Sequence, residues 1–194
     1  MDDQLTMDEK QTLLRLAREA LSRGVAGHTM PLLDPKGLTP ALRANGASFV
    51  TLTIRGELRG CIGALEPYQP LADDVREHAV AAALEDPRFP PVTPQEVDRI
   101  EIEVSRLTFP KALDYSNAED LMSRLRPHID GVILRDGFRR ATFLPQVWEK
   151  IPDTADFLDN LCLKMGEPPD TWRRKRLDVQ VYQVEEFSES ARRE

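Results

Sequence analysis

The stretch SFVTLTIRGELRGCIG, residues 48–63, constrains the fold more than any other part of the chain. Its first seven residues alternate in polarity and are rich in β-branched types, which marks a half-buried strand. LRGCI, residues 58–62, supplies the second strand of a hairpin. Gly is a poor strand residue, because it packs nothing and loses more backbone entropy on ordering than any other type. Gly60 and Gly63 must therefore serve something a side chain would obstruct. The pattern also predicts a register. Val50, Leu52 and Ile54 share one face, and Leu58, Gly60 and Ile62 join them only if the loop has an odd number of residues, Arg55–Glu57. A two-residue loop would turn Arg59 and Cys61 to that face instead. The apolar pattern favours the odd loop, although three-residue loops prefer Gly in the last place.

Around this hairpin the chain alternates helix and strand signals. Thr6 and Glu9 fit a capping box, Leu13, Leu16, Ala17, Ala20 and Leu21 recur at helical spacing, and Gly24 is the stop. His28 to Gly46 carries three prolines and no period, and reads as a long loop with at most one short helical turn. Pro70 opens a helix to Leu84, with Leu71, Val75, Ala79 and Ala82 on one stripe. Thr93 and Glu96 form a second capping box, and residues 100–108 alternate as a strand. Ser116 and Glu119 cap a short helix to Leu125. Residues 131–144 make a hairpin closed by Asp136-Gly137. A helical turn at Pro145 follows, then a helix stopped by Gly166. Residues 177–187 form one last strand, and the polar tail after Phe187 frays. Hairpin, proline, helix and lone strand thus occur in 48–108 and again in 131–187, which suggests a structural duplication. The expected class is α+β.

A chain of 194 residues with 41% hydrophobic and 30% charged side chains forms one large domain, or one domain of two lobes, and buries its core without disulfide or metal staples. The net charge of -7 argues against a nucleic-acid or anionic-membrane surface. The two cysteines lack CxxC spacing, so neither a disulfide framework nor a zinc site is expected, and reduced thiols in a cytoplasmic protein are. No apolar run approaches the roughly 18 residues of a membrane span. The opening MDDQLTMDEK is acidic and unlike a targeting peptide. No metal-ligand spacing, Walker loop or GxGxxG is found.

The chemistry-bearing candidates centre on the hairpin. Arg59 and Cys61 project from one strand face, about 7 Å apart at Cβ by the strand repeat. Gly60 and Gly63 remove bulk around them. A neighbouring cation favours thiolate, the nucleophilic form, and a guanidinium also holds a carboxylate or phosphate. The stretch reads as a covalent-catalysis site with Cys61 as nucleophile and Arg59 as anchor, or as an anion-binding surface. The competing reading makes Cys61 a small buried residue, Arg59 a surface charge and the glycines a bulge. His78 sits beside an apolar stripe as a satisfied, semi-buried histidine; His28 and His128 fall in loops. Cys162 lies on an apolar helix and reads as core. Asp86 and Arg88 flank Pro87 as a local ion pair.

Taken together and in order, FVTLTIRGELRGCIGALEP, DPRFPPV, EVSRLT, GVIL, ATFLPQVWE and VYQVEEF resemble the AMMECR-type domain, which in prokaryotes is protein A of the AmmeMemoRadiSam system. The resemblance covers nearly the whole chain, and Leu58 to Gly63 match the family's LRGCIG without departure. It implies one α+β domain, residues 1–194, with antiparallel sheets and packed helices in two unequal lobes. The larger lobe comes from both chain ends, and the LRGCIG motif lies near the cleft between the lobes. It implies the company of Memo-type and radical-SAM proteins. It names no cofactor and no single reaction: nucleic-acid modification, regulation and protein interaction, such as an adaptor role for those partners, are its alternatives, beside the cysteine-dependent activity read from the residues. On this resemblance Leu58, Gly60, Ile62 and Gly63 join Cys61 and Arg59 as motif residues. Asp86, Arg88 and Thr142 are secondary candidates from matching segments, for a small anionic or carbonyl-bearing ligand. A nucleic-acid role would need a basic patch that includes Arg139 and Arg140.

Overall fold

The computed structural model describes residues 4–190. The chain divides into two compact units, Met1–Thr108 with Glu185–Glu194, and Phe109–Val184. The first unit begins with α1 (Met7–Val25), whose Thr6 Oγ1 accepts from the Glu9 amide while the Glu9 carboxylate accepts from the Thr6 amide at 2.8 Å. A short helix α2 (Pro40–Arg43) leads into β1 (Asn45–Ile54), β2 (Glu57–Gly63), the two-residue β3 (Gln69–Pro70), α3 (Leu71–Leu84) and β4 (Ile100–Leu107). The segment 28–46, expected to hold at most one helical turn, holds both α2 and a 3-10 turn at Pro35–Gly37, each opened by a proline behind an Asp or Thr cap.

The strands run in the order β2-β1-β4, all antiparallel. Val50, Leu52, Ile102 and Val104 on one sheet face pack against Leu13, Leu16, Ala17, Ala20 and Leu21 of α1 and Leu71, Val75, Ala79 and Ala82 of α3. The periodicities that predict these helices are thus the positions they bury.

The second unit contains β5 (Lys111–Ala112), α4 (Ala118–Arg124), β6 (Gly131–Asp136), β7 (Arg139–Phe143), α5 (Thr154–Met165), α6 (Thr171–Arg174) and β8 (Asp178–Tyr182). Its sheet order is β5-β8-β6-β7. The α4 cap is Asn117, whose side chain accepts from the Asp120 amide, one residue beyond the expected Ser116–Glu119 pair. The β6–β7 loop is Gly137-Phe138, flanked by the pair Asp136 and Arg139, with Gly137 at φ 58° in the first loop position. Trp148 and Phe157 stack at 3.6 Å between ring centroids in the core of this unit. Gly166 ends α5 at φ 81°, as its spacing predicts.

The last strand expected over 177–187 is two strands. β8 pairs with β6 in the second sheet, and β9 (Val184–Ser188) pairs with β4 in the first. Beyond Phe187 the chain does not fray at once. Ser188 closes β9, and the Glu189 carboxylate takes the Arg18 guanidinium and the Ile102 amide. The rest of the expected tail, 191–194, lies outside the described residues. Both repeats put the first hairpin strand between its partner and the lone strand, β2-β1-β4 and β7-β6-β8, every pair antiparallel. The strand orders agree, as a duplication requires.

The β1–β2 hairpin reaches the expected facing of Gly60 and Ile62, though not of Leu58, by a different route. Its loop is the two-residue Arg55-Gly56, with φ of 55° and 82°, which matches the two positive values of a type I′ turn. The odd residue is a bulge: Leu52 pairs with Gly60 and Thr53 with Leu58, leaving Arg59 unpaired. Gly60 and Ile62 therefore share the face of Leu52 and Val50. Leu58, before the bulge, does not, and is 42% exposed.

The glycines answer to packing. A Cβ on Gly60 would stand 2.0 Å from the Ala82 carbonyl oxygen, so only Gly lets the last turn of α3 rest on β2. A Cβ on Gly63 would stand 2.4 Å from the Phe49 ring and from the Ser48 carbonyl oxygen. Gly60→Ala must push helix from sheet against backbone, and is expected to lower stability by about 1–3 kcal/mol. Urea denaturation of the variant measures this; a midpoint equal to that of the parent protein would contradict the close approach.

Candidate functional site

Cys61 lies on β2, an edge strand. Gly60 faces the helices, so alternation turns Cys61 to the opposite sheet face. There it pairs across the ladder with Thr51, whose hydroxyl donates to the sulfur at 3.3 Å. Thr51 pairs in turn with Glu103 on β4. Thiol, hydroxyl and carboxyl thus form one row across three strands. Burial, and then the neighbouring Glu186 and Glu101, push the Glu103 carboxyl above its ordinary pKa. Cys61 is half-buried.

The outer edge of β2 is covered by the segment after α3. Asp86, 5% exposed, accepts from the Cys61 amide at 2.8 Å and from the Arg88 amide at 3.1 Å. Its two oxygens also take Arg88 Nε at 2.9 Å and Nη2 at 2.7 Å. Arg88 Nη2 reaches the Cys61 carbonyl at 3.2 Å. Both polar groups of the Cys61 residue backbone are therefore held by one carboxylate–guanidinium pair. The Arg88 hydrogen bond, opposed by burial and reinforced by the two amides, holds the Asp86 carboxyl far below the usual carboxylate range. The Arg88 guanidinium is raised, first by Asp86 and in smaller measure by its interaction with Cys61.

Arg59 has different company. Nε meets Glu96 at 2.8 Å, Nη1 meets the Pro90 carbonyl at 2.9 Å, and Nη2 meets the Pro91 carbonyl at 3.3 Å and Glu96 at 3.2 Å. The structure ties it to the 90–96 segment, and the guanidinium recorded beside Cys61 is that of Arg88. The bulge gives Arg59 this direction. The Thr93–Glu96 pair does not start an α-helix; Glu96 closes a turn on the Thr93 amide and hydroxyl and receives Arg59. The Arg59 hydrogen bond, then that of Thr93, lowers the Glu96 pKa to about 2.

The remaining sequence candidates separate. Leu58 is exposed, and Ile62 packs against the first core. Thr142 lies in the second unit, its hydroxyl 3.1 Å from that of Tyr182. His78 Nδ1 is 3.2 Å from Asp74 Oδ2, which also accepts from Ser48 Oγ at 2.6 Å, on the helix side of the sheet and so across it from Cys61. Cys162 is fully buried in the second core, where burial raises its thiol. Among the described residues no group of three or more His, Cys, Asp or Glu is placed to hold a metal, and no helix is long and apolar enough to cross a membrane. Sequence reading missed Glu96, Thr51 and Glu103. For the last two, the strand pattern that put Thr51 opposite Cys61 carried a usable signal.

The depressed carboxyls make a pH prediction. A folded pKa below the unfolded one contributes stability that is complete above the unfolded value and is lost as pH falls through the folded one. For Glu96 that window runs from its ordinary 4.5 down to about 2. Glu96→Gln is expected to be less stable than the parent at pH 7, and to lose less on acidification from pH 5 to pH 2. Urea midpoints across that range test it; parallel curves would contradict the Arg59–Glu96 assignment.

Two antiparallel sheets with packed helices, and a thiol whose backbone is clamped at a sheet edge, define an α+β protein built around its first hairpin. The sequence pattern of the AMMECR1 family matches residues 14–187, and the chain belongs to that family. A protein from Methanothermobacter thermautotrophicus is 41% identical over 95% of this chain and 96% of its own length. One from Thermofilum pendens is 39% identical over 96% of this chain and 92% of its own. The crystal structure of an uncharacterised protein from Pyrococcus horikoshii has the same fold, with a TM-score of 0.74 and 33% identity over 95% of this chain and 93% of that one.

Proposed function

We propose that this protein works through Cys61 as a nucleophilic thiol acting on a small carbonyl-bearing or anionic molecule. The observation that carries this reading is the Asp86–Arg88 clamp. It fixes the backbone of one half-exposed cysteine from both polar groups and brings the Arg88 guanidinium to the same residue. The proposed place of action is the cytoplasm, where a thiol stays reduced.

Nucleic-acid modification has less support. In the basic run 173–176, Arg173 pairs with Asp159, Arg174 with Asp170, Lys175 with Asp136 and Arg176 with Asp114, and Arg139 pairs with Glu167. A phosphate backbone would have to displace these carboxylates. A docking role toward Memo-type and radical-SAM proteins draws on the exposed Leu58 beside the motif. It predicts that Cys61→Ser retains association while Leu58→Asp abolishes it, which a pull-down separates from thiol chemistry.

The direct test is iodoacetamide labelling of the native protein, resolved by peptide mass spectrometry. Cys61 is expected to react at least about tenfold faster than the buried Cys162. Arg88→Ala is expected to slow Cys61 more than Arg59→Ala does. Labelling of Cys61 no faster than that of Cys162 would overturn the proposal.

A further inference from the structure

Two arginines reach the cysteine-bearing strand, and they differ in what they have left to give. All three nitrogens of the Arg59 guanidinium are engaged, by Glu96 and by the carbonyls of Pro90 and Pro91. Arg88 spends Nε and Nη2 on Asp86 and on the Cys61 carbonyl. The guanidinium also interacts with Cys61 and lies 5.5 Å from the Phe89 ring centroid, and among the described residues no hydrogen bond is made by its Nη1. Its side chain is 54% exposed while that of Asp86 is 2% exposed, so the buried carboxylate holds one edge of the guanidinium and leaves the other toward solvent. A guanidinium fixed in this way loses little rotamer entropy on meeting a second oxyanion.

The sheet face has a direction to match. Arg88 stands outside β2. On the other side of Cys61 come Thr51 and then Glu103, flanked by Glu101 and Glu186. Successive strands are about 4.8 Å apart, so the Glu103 backbone lies roughly 10 Å from that of Cys61. An anionic group is attracted at the Arg88 edge and repelled, once Glu103 ionises, at the far end.

Building on the reading of Cys61 as a reactive thiol, we infer that the molecule it meets carries an oxyanion, a carboxylate or a phosphate, bound by Arg88 Nη1 at the outer edge of β2. Arg88 is then a ligand-binding residue with two tasks: its Nη2 face holds the Cys61 backbone, and its Nη1 face selects a negatively charged partner. Asp86 is the positioning residue that turns the guanidinium. Arg59, which the motif spacing nominates for the anchor, braces the 90–96 segment.

The test compares two alkylating agents that differ only in charge, iodoacetate and iodoacetamide, on Cys61 of the native full chain. A short unstructured peptide containing one cysteine gives the reference ratio of rates. The iodoacetate-to-iodoacetamide ratio at Cys61 is expected to exceed the reference by about tenfold, the equivalent of one charge-assisted hydrogen bond. Inorganic phosphate should reduce the excess by competition in the parent protein, which needs no variant to fold. Arg88→Ala should return the ratio to the reference, and Arg59→Ala should leave it raised. A ratio at or below the reference, with Cys61 still faster than Cys162 toward iodoacetamide, overturns the anchor and leaves the thiol reading standing. Slow reaction with both agents overturns the thiol reading itself. A raised ratio that survives Arg88→Ala assigns the anion to another cation and overturns the role of Arg88.

Discussion

The hydrogen bond from the Cys61 amide to the buried Asp86 carboxylate is the interaction on which the site depends. An edge strand presents unpaired amides and carbonyls, and proteins have to cover them. Here the cover is a carboxylate that also binds Arg88, whose guanidinium returns to the carbonyl of the same cysteine. A buried carboxylate without partners would be costly. The Arg88 guanidinium and two amides favour its ionised form, which holds its pKa far below the usual carboxylate range. The clamp is therefore reciprocal: Asp86 is buried with its charge met by Cys61 and Arg88, and Cys61 is held by the Asp86 that it helps to satisfy.

The glycines belong to the same constraint. Gly60 brings β2 against the Ala82 carbonyl, close to the end of α3 at Leu84. Asp86 follows two residues later. A larger residue at 60 would lift the helix end from the strand and carry the carboxylate away from the amide beside it. Gly63 admits Phe49 in the same manner on the other face. The unusual density of glycine around the cysteine thus reads as a demand for backbone proximity, from which the thiol benefits indirectly.

Much of the fold was legible because it follows from periodicity. The α1 stripe, the β1 alternation, the Gly166 stop and the repeated hairpin–helix–strand order are local patterns that burial preserves. What was not legible depends on which long-range partner wins. The apolar faces call for a loop of odd length between β1 and β2, yet a type I′ turn and a bulge at Arg59 bring Gly60 and Ile62 to the same face and leave Leu58 off it. The last strand looked continuous because nothing in DVQVYQVEEF marks the change of sheet at Gln183. The site was legible as a motif and illegible as a set of contacts. Spacing puts Arg59 next to Cys61, and the residues that hold the cysteine come from a segment about 25 positions further along the chain, which alternation along one strand cannot reveal.

The contrast between the two arginines follows from the bulge. In a regular strand, residues two apart share a face and Arg59 would stand beside Cys61. The extra residue at 59 breaks that relation and directs Arg59 toward the 90–96 segment, where the depressed Glu96 receives it. The positive charge near the sulfur then has to come from outside the strand, and it comes from Arg88, attached to the carboxylate that binds the cysteine amide. A guanidinium carried by the strand itself would keep its relation to Cys61 whatever the loop did. One carried by the covering segment couples the charge near the cysteine to the closure of the edge, so that losing the Asp86–Arg88 pair removes the clamp and the cation together.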